Sequence, residues 1–179
     1  MKAAFFTLGC KVNQYETEAI REKFIENGFE IVDFDEVADV YIINTCSVTS
    51  ESDRKSRQII RRARKRNFNG IVAVTGCLGQ ASPEEAMKIT DADIITGTKD
   101  KALLYEKVME FIDTSQRIIS IDNIAEEKSF ESMSIKQNSE RTRAAVKIED
   151  GCNNFCSYCI IPYARGRVRS KAFSDAFNE

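Results

Sequence analysis

Near the end of the chain, Cys152, Cys156 and Cys159 stand in a C-x3-C-x2-C run inside GCNNFCSYCIIPY. This spacing offers three thiolates to a four-iron cubane and leaves one iron without a protein ligand. A fully ligated cluster only passes electrons, whereas an open iron can take the amino and carboxylate groups of S-adenosylmethionine. Gly151 ahead of the run, Tyr158 just before its last cysteine and an expected strand at Ala144 to Ile148 leading into it make the pattern more specific than the spacing alone.

The other three cysteines, Cys10, Cys46 and Cys77, follow the β-rich stretches AAFFTLG, VYIINT and IVAVTG. In an open parallel sheet the carboxyl ends of the strands share one edge, so three sulfurs that are 36 and 31 positions apart in sequence can converge there. Buried cysteine is also an ordinary small core residue, and these three need no ligand role on their own account. A structural zinc site fits less well, because the paired C-x2-C knuckle occurs only at Cys156 and Cys159. Gly9, Gly76 and Gly151 directly precede three of the cysteines, where a missing Cβ lets backbone approach a bulky group. Histidine is absent altogether, which excludes Cys/His zinc fingers and Ser/His or Cys/His nucleophilic catalysis.

The elements that must position these groups follow from hydrophobic pattern. At 179 residues, 42% hydrophobic and 30% charged, the chain suffices for one α/β domain and the beginning of another. Strands are expected at Lys2 to Thr7, Phe29 to Asp33, Asp39 to Asn44, Ile71 to Thr75, Asp93 to Thr96 and Arg117 to Ile121. Helices are expected at Asn13 to Asn27, with Ile20 and Phe24 inward and Gly28 closing it, and at Lys101 to Ile112, with Leu104, Val108, Phe111 and Ile112 on one face. Ser50 and Asp53 open a basic helix whose apolar stripe is Ile59, Ile60 and Ala63, and Ser82-Pro83 opens a short one. Strands alternating with helices predict an open, mostly parallel sheet with flanking helices over residues 1–121. The polar run Asp122 to Thr142 reads as an interdomain linker, and residues 143–179 as the first strand and cluster loop of an α/β barrel. A whole barrel takes on the order of 200 residues, so this chain is expected to be a fragment.

Six cysteines without a secretory signal point to a reducing compartment, the cytoplasm, and no segment is long and apolar enough to cross a bilayer. The net charge of −2 hides local basic clusters. One is Arg54, Lys55, Arg57, Arg61, Arg62, Arg64, Lys65 and Arg66; the other is Arg165, Arg167, Arg169 and Lys171. Both are candidates for contact with a polyanion such as nucleic acid, and the first can equally be a solvated helix face.

GCNNFCSYCIIPYARGRVRS resembles the cluster loop of the radical S-adenosylmethionine methylthiotransferases. LGCKVNQYE, INTCSVT and VTGCLGQ resemble the three cysteine motifs of that family's amino-terminal domain. The resemblance implies two [4Fe-4S] clusters, a radical-generating one on Cys152, Cys156 and Cys159 and an auxiliary one on Cys10, Cys46 and Cys77. It further implies S-adenosylmethionine as cofactor, with adenine contacts near Tyr158, and a reductant such as flavodoxin or ferredoxin. The implied activity is insertion of a methylthio group at an unactivated carbon, where no acidic proton or leaving group exists and a radical is needed. GCKVNQYE is similar to the branch acting on N6-threonylcarbamoyladenosine beside the tRNA anticodon. The isopentenyladenosine branch typically reads GCQMN and the ribosomal-protein branch GCAKN, and both remain alternatives, as does an iron-sulfur or zinc RNA-binding module without radical chemistry. A chain that carries only the opening of the barrel is expected to be inactive by itself.

Overall fold

The structure, a computed structural model, describes residues 1–99, 101–136 and 145–179. Its centre is a six-stranded sheet built from β1 (Lys2–Thr7), β2 (Glu30–Val32), β3 (Val40–Thr45), β4 (Ile71–Gly76), β5 (Ile94–Thr96) and β6 (Ile118–Ser120). Every pairing in it is parallel and the spatial order is β2-β1-β3-β4-β5-β6. β3 and β4 are buried at every position, as their near-continuous apolar runs demand of strands covered on both faces.

Helices α1 (Lys11–Glu26), α2 (Ser50–Arg66), α3 (Cys77–Ala81), α4 (Pro83–Met87) and α5 (Leu104–Thr114) complete the layers. On one face Val40, Ile42, Ala73 and Ile94 pack with Ile20 and Phe24 of α1 and with Leu104 and Val108 of α5. On the other, Tyr41, Ile43, Val72 and Val74 pack with Ile60 and Ala63 of α2, Leu78 of α3 and Ala86 of α4. The alternation of inward residues along each strand thus splits one run into two cores. Thr49 caps α2, its side chain accepting from the Ser52 amide at 3.1 Å, so the helix is capped one residue before the expected start.

After β1 the chain turns to one side of the sheet to make β2, then crosses back to make β3 on the other side of β1. The order of winding therefore reverses between β1 and β3. In open α/β sheets that reversal opens a crevice at the carboxyl ends of the two strands, and the loops carrying Cys10 and Cys46 leave from there.

The rest of the chain is closely applied to this domain. Within the expected linker, Ile124 and Met133 are buried, and Met133 joins the core beneath α1 and α5. Its residues 137–142 lie outside the described ones. The strand expected at Ala144 to Ile148 is not formed over 145–148, and Ala144 lies outside the described residues. A two-residue strand, β7 (Glu149–Asp150), forms instead where β8 (Arg169–Ser170) supplies an antiparallel partner. Val146 and Ile148 are exposed and Lys147 points inward, so a polar cluster rather than an apolar core receives this segment. Between β7 and β8 comes α6 (Ile161–Arg165), which packs on α3, and α7 (Phe173–Asn178) ends the chain.

Candidate metal centres at the carboxyl edge of the sheet

The three strand-end cysteines sit on neighbouring strands. Thr45 is paired in register with Gly76, so Cys46 and Cys77 are the next residues of adjacent strands. Cys10 is the N-cap residue of α1, three positions beyond the end of β1. The glycines before these cysteines have a specific steric task. A Cβ on Gly9 would stand 2.7 Å from Cys46 Cβ and 2.8 Å from its Sγ, and one on Gly76 would stand 2.5 Å from the Thr45 carbonyl oxygen. Both residues also have positive φ, 98° and 102°. The sequence suggests that glycine makes room for a cluster; the structure shows that it lets the cysteine-bearing loops approach one another.

Asn13 ties this edge together. Wholly buried, it donates through Nδ2 to the carbonyls of Leu8 at 2.8 Å and Thr45 at 2.9 Å, joining the ends of β1 and β3. Its Oδ1 faces Cys10 Sγ at 3.8 Å and accepts from Arg165 Nη2 at 2.6 Å. Cys10 is exposed, whereas Cys46 and Cys77 are buried, and all six cysteines are free thiols. Burial pushes the Cys77 thiol up, a shift that Arg165 and Lys101 oppose and Glu16 and Cys46 reinforce.

In the second trio Cys156 is exposed while Cys152 and Cys159 are half-buried. The loop is held at its base: Cys152 N–H donates to Gly166 O at 3.0 Å and Cys159 N–H to Cys156 O at 2.9 Å. Tyr158 is 91% exposed. The loop is seated on the sheet edge through α6, where Thr98 Oγ1 donates to Ala164 O at 2.6 Å. Because α3 begins at Cys77 and α6 begins two residues after Cys159, their packing brings the two trios to the same end of the molecule.

Among the described residues, no three Cys, His, Asp or Glu side chains are gathered as a finished metal centre. The donors fit iron-sulfur chemistry in kind and in backbone placement: three free thiols on adjacent strand ends, and three more on a loop anchored beside them.

Sequence reasoning missed the charged cluster beneath these loops. Glu16 of α1, fully buried, accepts from Lys147 Nζ at 2.7 Å and Arg165 Nη1 at 2.9 Å, and it also pairs with Lys101. Asp150 takes Lys147 at 2.7 Å and Arg165 at 2.9 Å. Burial alone would raise the Glu16 carboxyl, but the three cations outweigh it and hold it well below the usual range; Asp150 is lowered by the same balance. One signal was available: Glu16 occupies the i−4 position from Ile20 and the i+3 position from Asn13, a charge in the inward stripe of a helix.

The two basic clusters are resolved differently. Arg165, Arg169 and Lys171 are buried, so most of the second cluster is internal; Arg167 is exposed and lies 4.6 Å over the Phe155 ring. In α2, Arg64 is a structural residue. It donates to the carbonyls of Phe68 and Gly70 at 2.9 and 2.7 Å and pairs with Asp93 at 2.5 Å. Arg62 and Arg66 pair with Asp35. Arg54, Arg61 and Lys65, at helical spacing, lie on the exposed outer face, where Arg54 pairs with Glu51 at 2.7 Å and Arg61 with Asp91 at 4.0 Å. Among the described residues, no helix is long and apolar enough to cross a membrane.

The family described as "Uncharacterized protein family UPF0004" matches residues 2–97. The chain is 49% identical over 168 residues to the threonylcarbamoyladenosine tRNA methylthiotransferase MtaB of Bacillus subtilis (strain 168), covering 94% of this chain and 37% of that protein. To the protein of the same name from Aquifex aeolicus (strain VF5) it is 42% identical over 170 residues, 95% of this chain and 42% of that one. The tRNA-2-methylthio-N(6)-dimethylallyladenosine synthase of Fervidobacterium nodosum is 30% identical over 179 residues, 100% of this chain and 40% of that protein. The chain thus spans about two fifths of the length of these curated relatives. With the family's region filling more than half of the chain, the chain belongs to the UPF0004 family.

Proposed function

We propose that this chain is the cluster-bearing portion of a tRNA methylthiotransferase that acts on N6-threonylcarbamoyladenosine at position 37, next to the anticodon, in the cytoplasm. What supports the reading is two cysteine trios in one chain, three thiols at the ends of neighbouring strands and three on a loop followed by α6, which packs on α3. Cys152, Cys156 and Cys159 would hold one four-iron cluster and Cys10, Cys46 and Cys77 the other. When bound, the clusters and S-adenosylmethionine supply the one-electron chemistry that a C–H position without an acidic proton requires. The chain's own residues do the rest. Asn13 fixes the loops of Cys10 and Cys46, α6 holds the second loop against the sheet, and the backbone near Tyr158 would contact the adenine. Partners on this reading are tRNA and a reductant of the flavodoxin or ferredoxin type.

The choice of nucleoside is supported by identities of 49% and 42% to proteins named for threonylcarbamoyladenosine, against 30% to one named for dimethylallyladenosine. Anaerobic reconstitution of the chain should reach about eight irons, falling to about four when Cys10, Cys46 and Cys77 become Ala. S-adenosylmethionine should perturb the electron paramagnetic resonance signal of the reduced Cys152 cluster. An unperturbed signal together with about four irons in the parent chain favours a cluster-containing RNA-binding module without radical chemistry.

A further inference from the structure

The two parts of the chain meet across an interior that carries more positive than negative charge. Lys101, Lys147, Arg165 and Arg169 are each at least nine-tenths buried, together with Glu16 and Asp150. Glu131 lies beside Lys101 and Lys147, and burial pushes its carboxyl up, towards the neutral form. Even with Glu131 counted as ionised, four cations face three carboxylates among the described residues. Arg169 reaches Asp150 only at 3.8 Å, and its buried Nε has no hydrogen-bond partner among the described residues. A buried charge without compensation is costly, and by these contacts Arg169 is the least compensated of the four cations.

Arg165 is the cation whose contacts lead to the strand-end cysteines. Nη1 bonds Glu16 and Asp150, while Nη2 bonds Asn13 Oδ1 at 2.6 Å. The same Asn13 oxygen faces Cys10 Sγ, and its amide nitrogen holds the carbonyl of Thr45, the residue before Cys46. One side chain therefore separates the guanidinium from two of the three strand-end cysteine loops. The third, Cys77, opens the helix on which α6 packs, and Arg165 is the last residue of α6.

We propose that Arg165 is a positioning residue for the Cys10, Cys46 and Cys77 site, delivering to the sheet edge a buried positive charge that the thiolates and their anionic cluster neutralise. The inference rests on the cluster reading above and deepens it: the auxiliary site is electrostatically complete only when the segment that follows the other cysteine trio has docked. Three thiolates around a four-iron cluster give a net negative charge, and net charge and hydrogen bonding near the sulfurs are what set such a cluster's potential.

The test uses the full chain with Cys152, Cys156 and Cys159 changed to Ala, so that only the strand-end site reports. Iron per chain and the midpoint potential of the cluster are measured for this parent and for Arg165→Gln, Arg165→Lys and Asp150→Asn. The parent should load about four irons. Arg165→Gln should retain less iron and shift the potential to more negative values, because losing a nearby cation disfavours the added electron. Arg165→Lys should stay near the parent, and Asp150→Asn, which removes an anion from the same cluster of charges, should shift the potential the opposite way. Unchanged iron and potential in Arg165→Gln, or shifts of one sign in both charge variants, overturns the proposal and returns Arg165 to a purely packing role. If Arg165→Gln does not fold, Asp150→Asn decides when read with its melting temperature: a less negative potential at unchanged melting supports the proposal, and an unchanged potential overturns it. A parent that binds no iron defeats the auxiliary-cluster reading itself, a result distinct from a loaded cluster that ignores Arg165.

Discussion

Changing Glu16 to Gln tests the charged interior directly, because the substitution keeps the shape of the side chain and removes only its charge. Three cations, Lys101, Lys147 and Arg165, contact this carboxylate, and all four groups are buried. Removing one member of a buried ion pair typically costs about 3–5 kcal/mol, since the partners stay buried without compensation. Asp150 still pairs with Lys147 and Arg165 in the variant, but among the described residues Lys101 has no second carboxylate at ion-pair distance, so the loss belongs within that range rather than below it. For a chain of this size each kcal/mol moves the melting temperature by about 2–4 °C, which places the expected fall at roughly 6–20 °C.

The effect should also carry a pH signature. The folded Glu16 carboxyl is held well below its ordinary value. Its contribution is therefore fully present above the unfolded carboxylate range, about pH 4.3, and is lost as pH falls through the lower folded value. Urea titrations of wild type and Glu16→Gln at a series of pH values give the comparison. The gap should be largest near neutrality and should close in acid as wild-type Glu16 takes up its proton. A gap below about 1 kcal/mol at neutral pH, the level of an exposed pair, refutes the account of a buried hub. So does a large gap that is the same at every pH, because shape and packing would then explain it.

Two further predictions follow from the sheet edge and the basic helix. Gly9→Ala should cost more than Gly28→Ala: both glycines have positive φ, which costs a non-glycine residue about 1–2 kcal/mol, but only Gly9 would also drive a Cβ into Cys46, while nothing lies within 4 Å at Gly28. Equal losses in denaturant titrations would show that the close approach to Cys46 is not tight. Along α2, Arg61→Glu with Lys65→Glu should weaken tRNA binding and reduce the slope of its salt dependence by about one per lost phosphate contact, with melting unchanged. Arg64→Glu should instead lower the melting temperature, because it breaks bonds to Phe68, Gly70 and Asp93; a stable Arg64→Glu protein contradicts that assignment.

The sheet was readable in the sequence because VYIINT and IVAVTG are apolar runs too short for helices and too continuous for exposed strands. Its helices were readable where an apolar stripe repeats, as with Ile20 and Phe24 or Leu104 and Val108. The short α3 was not. Its sequence CLGQA carries no period, and it forms because Gly79 fits against the end of β5, where a Cβ would stand 2.6 Å from the Thr96 carbonyl oxygen. The charged interior was hidden for a different reason. The partners of Glu16 lie 85 to 149 positions from it, and a run of arginines reads the same whether its members are solvated or enclosed. The placement of Arg165 depends on α6 docking on α3, which no local pattern encodes.

That docking gives the buried charge its meaning. Two segments can be joined by leucine and methionine at less cost than by ions, since replacing a buried ion pair with well-packed apolar residues is often neutral or stabilising. The contact of α6 with α3 already has apolar material, with Ala164 and Leu78 at the limit of burial. Charge is therefore not needed to hold the segment in place. What apolar packing cannot do is set the electrostatic environment of thiols, and the cations here are fixed by Glu16 and Asp150 on one side and by Asn13 on the side of Cys10 and Cys46. An interior that accepts the desolvation of four cations, and sets one of them a single side chain away from the Cys10 and Cys46 loops, is what the proposed anionic sulfur ligation would draw on.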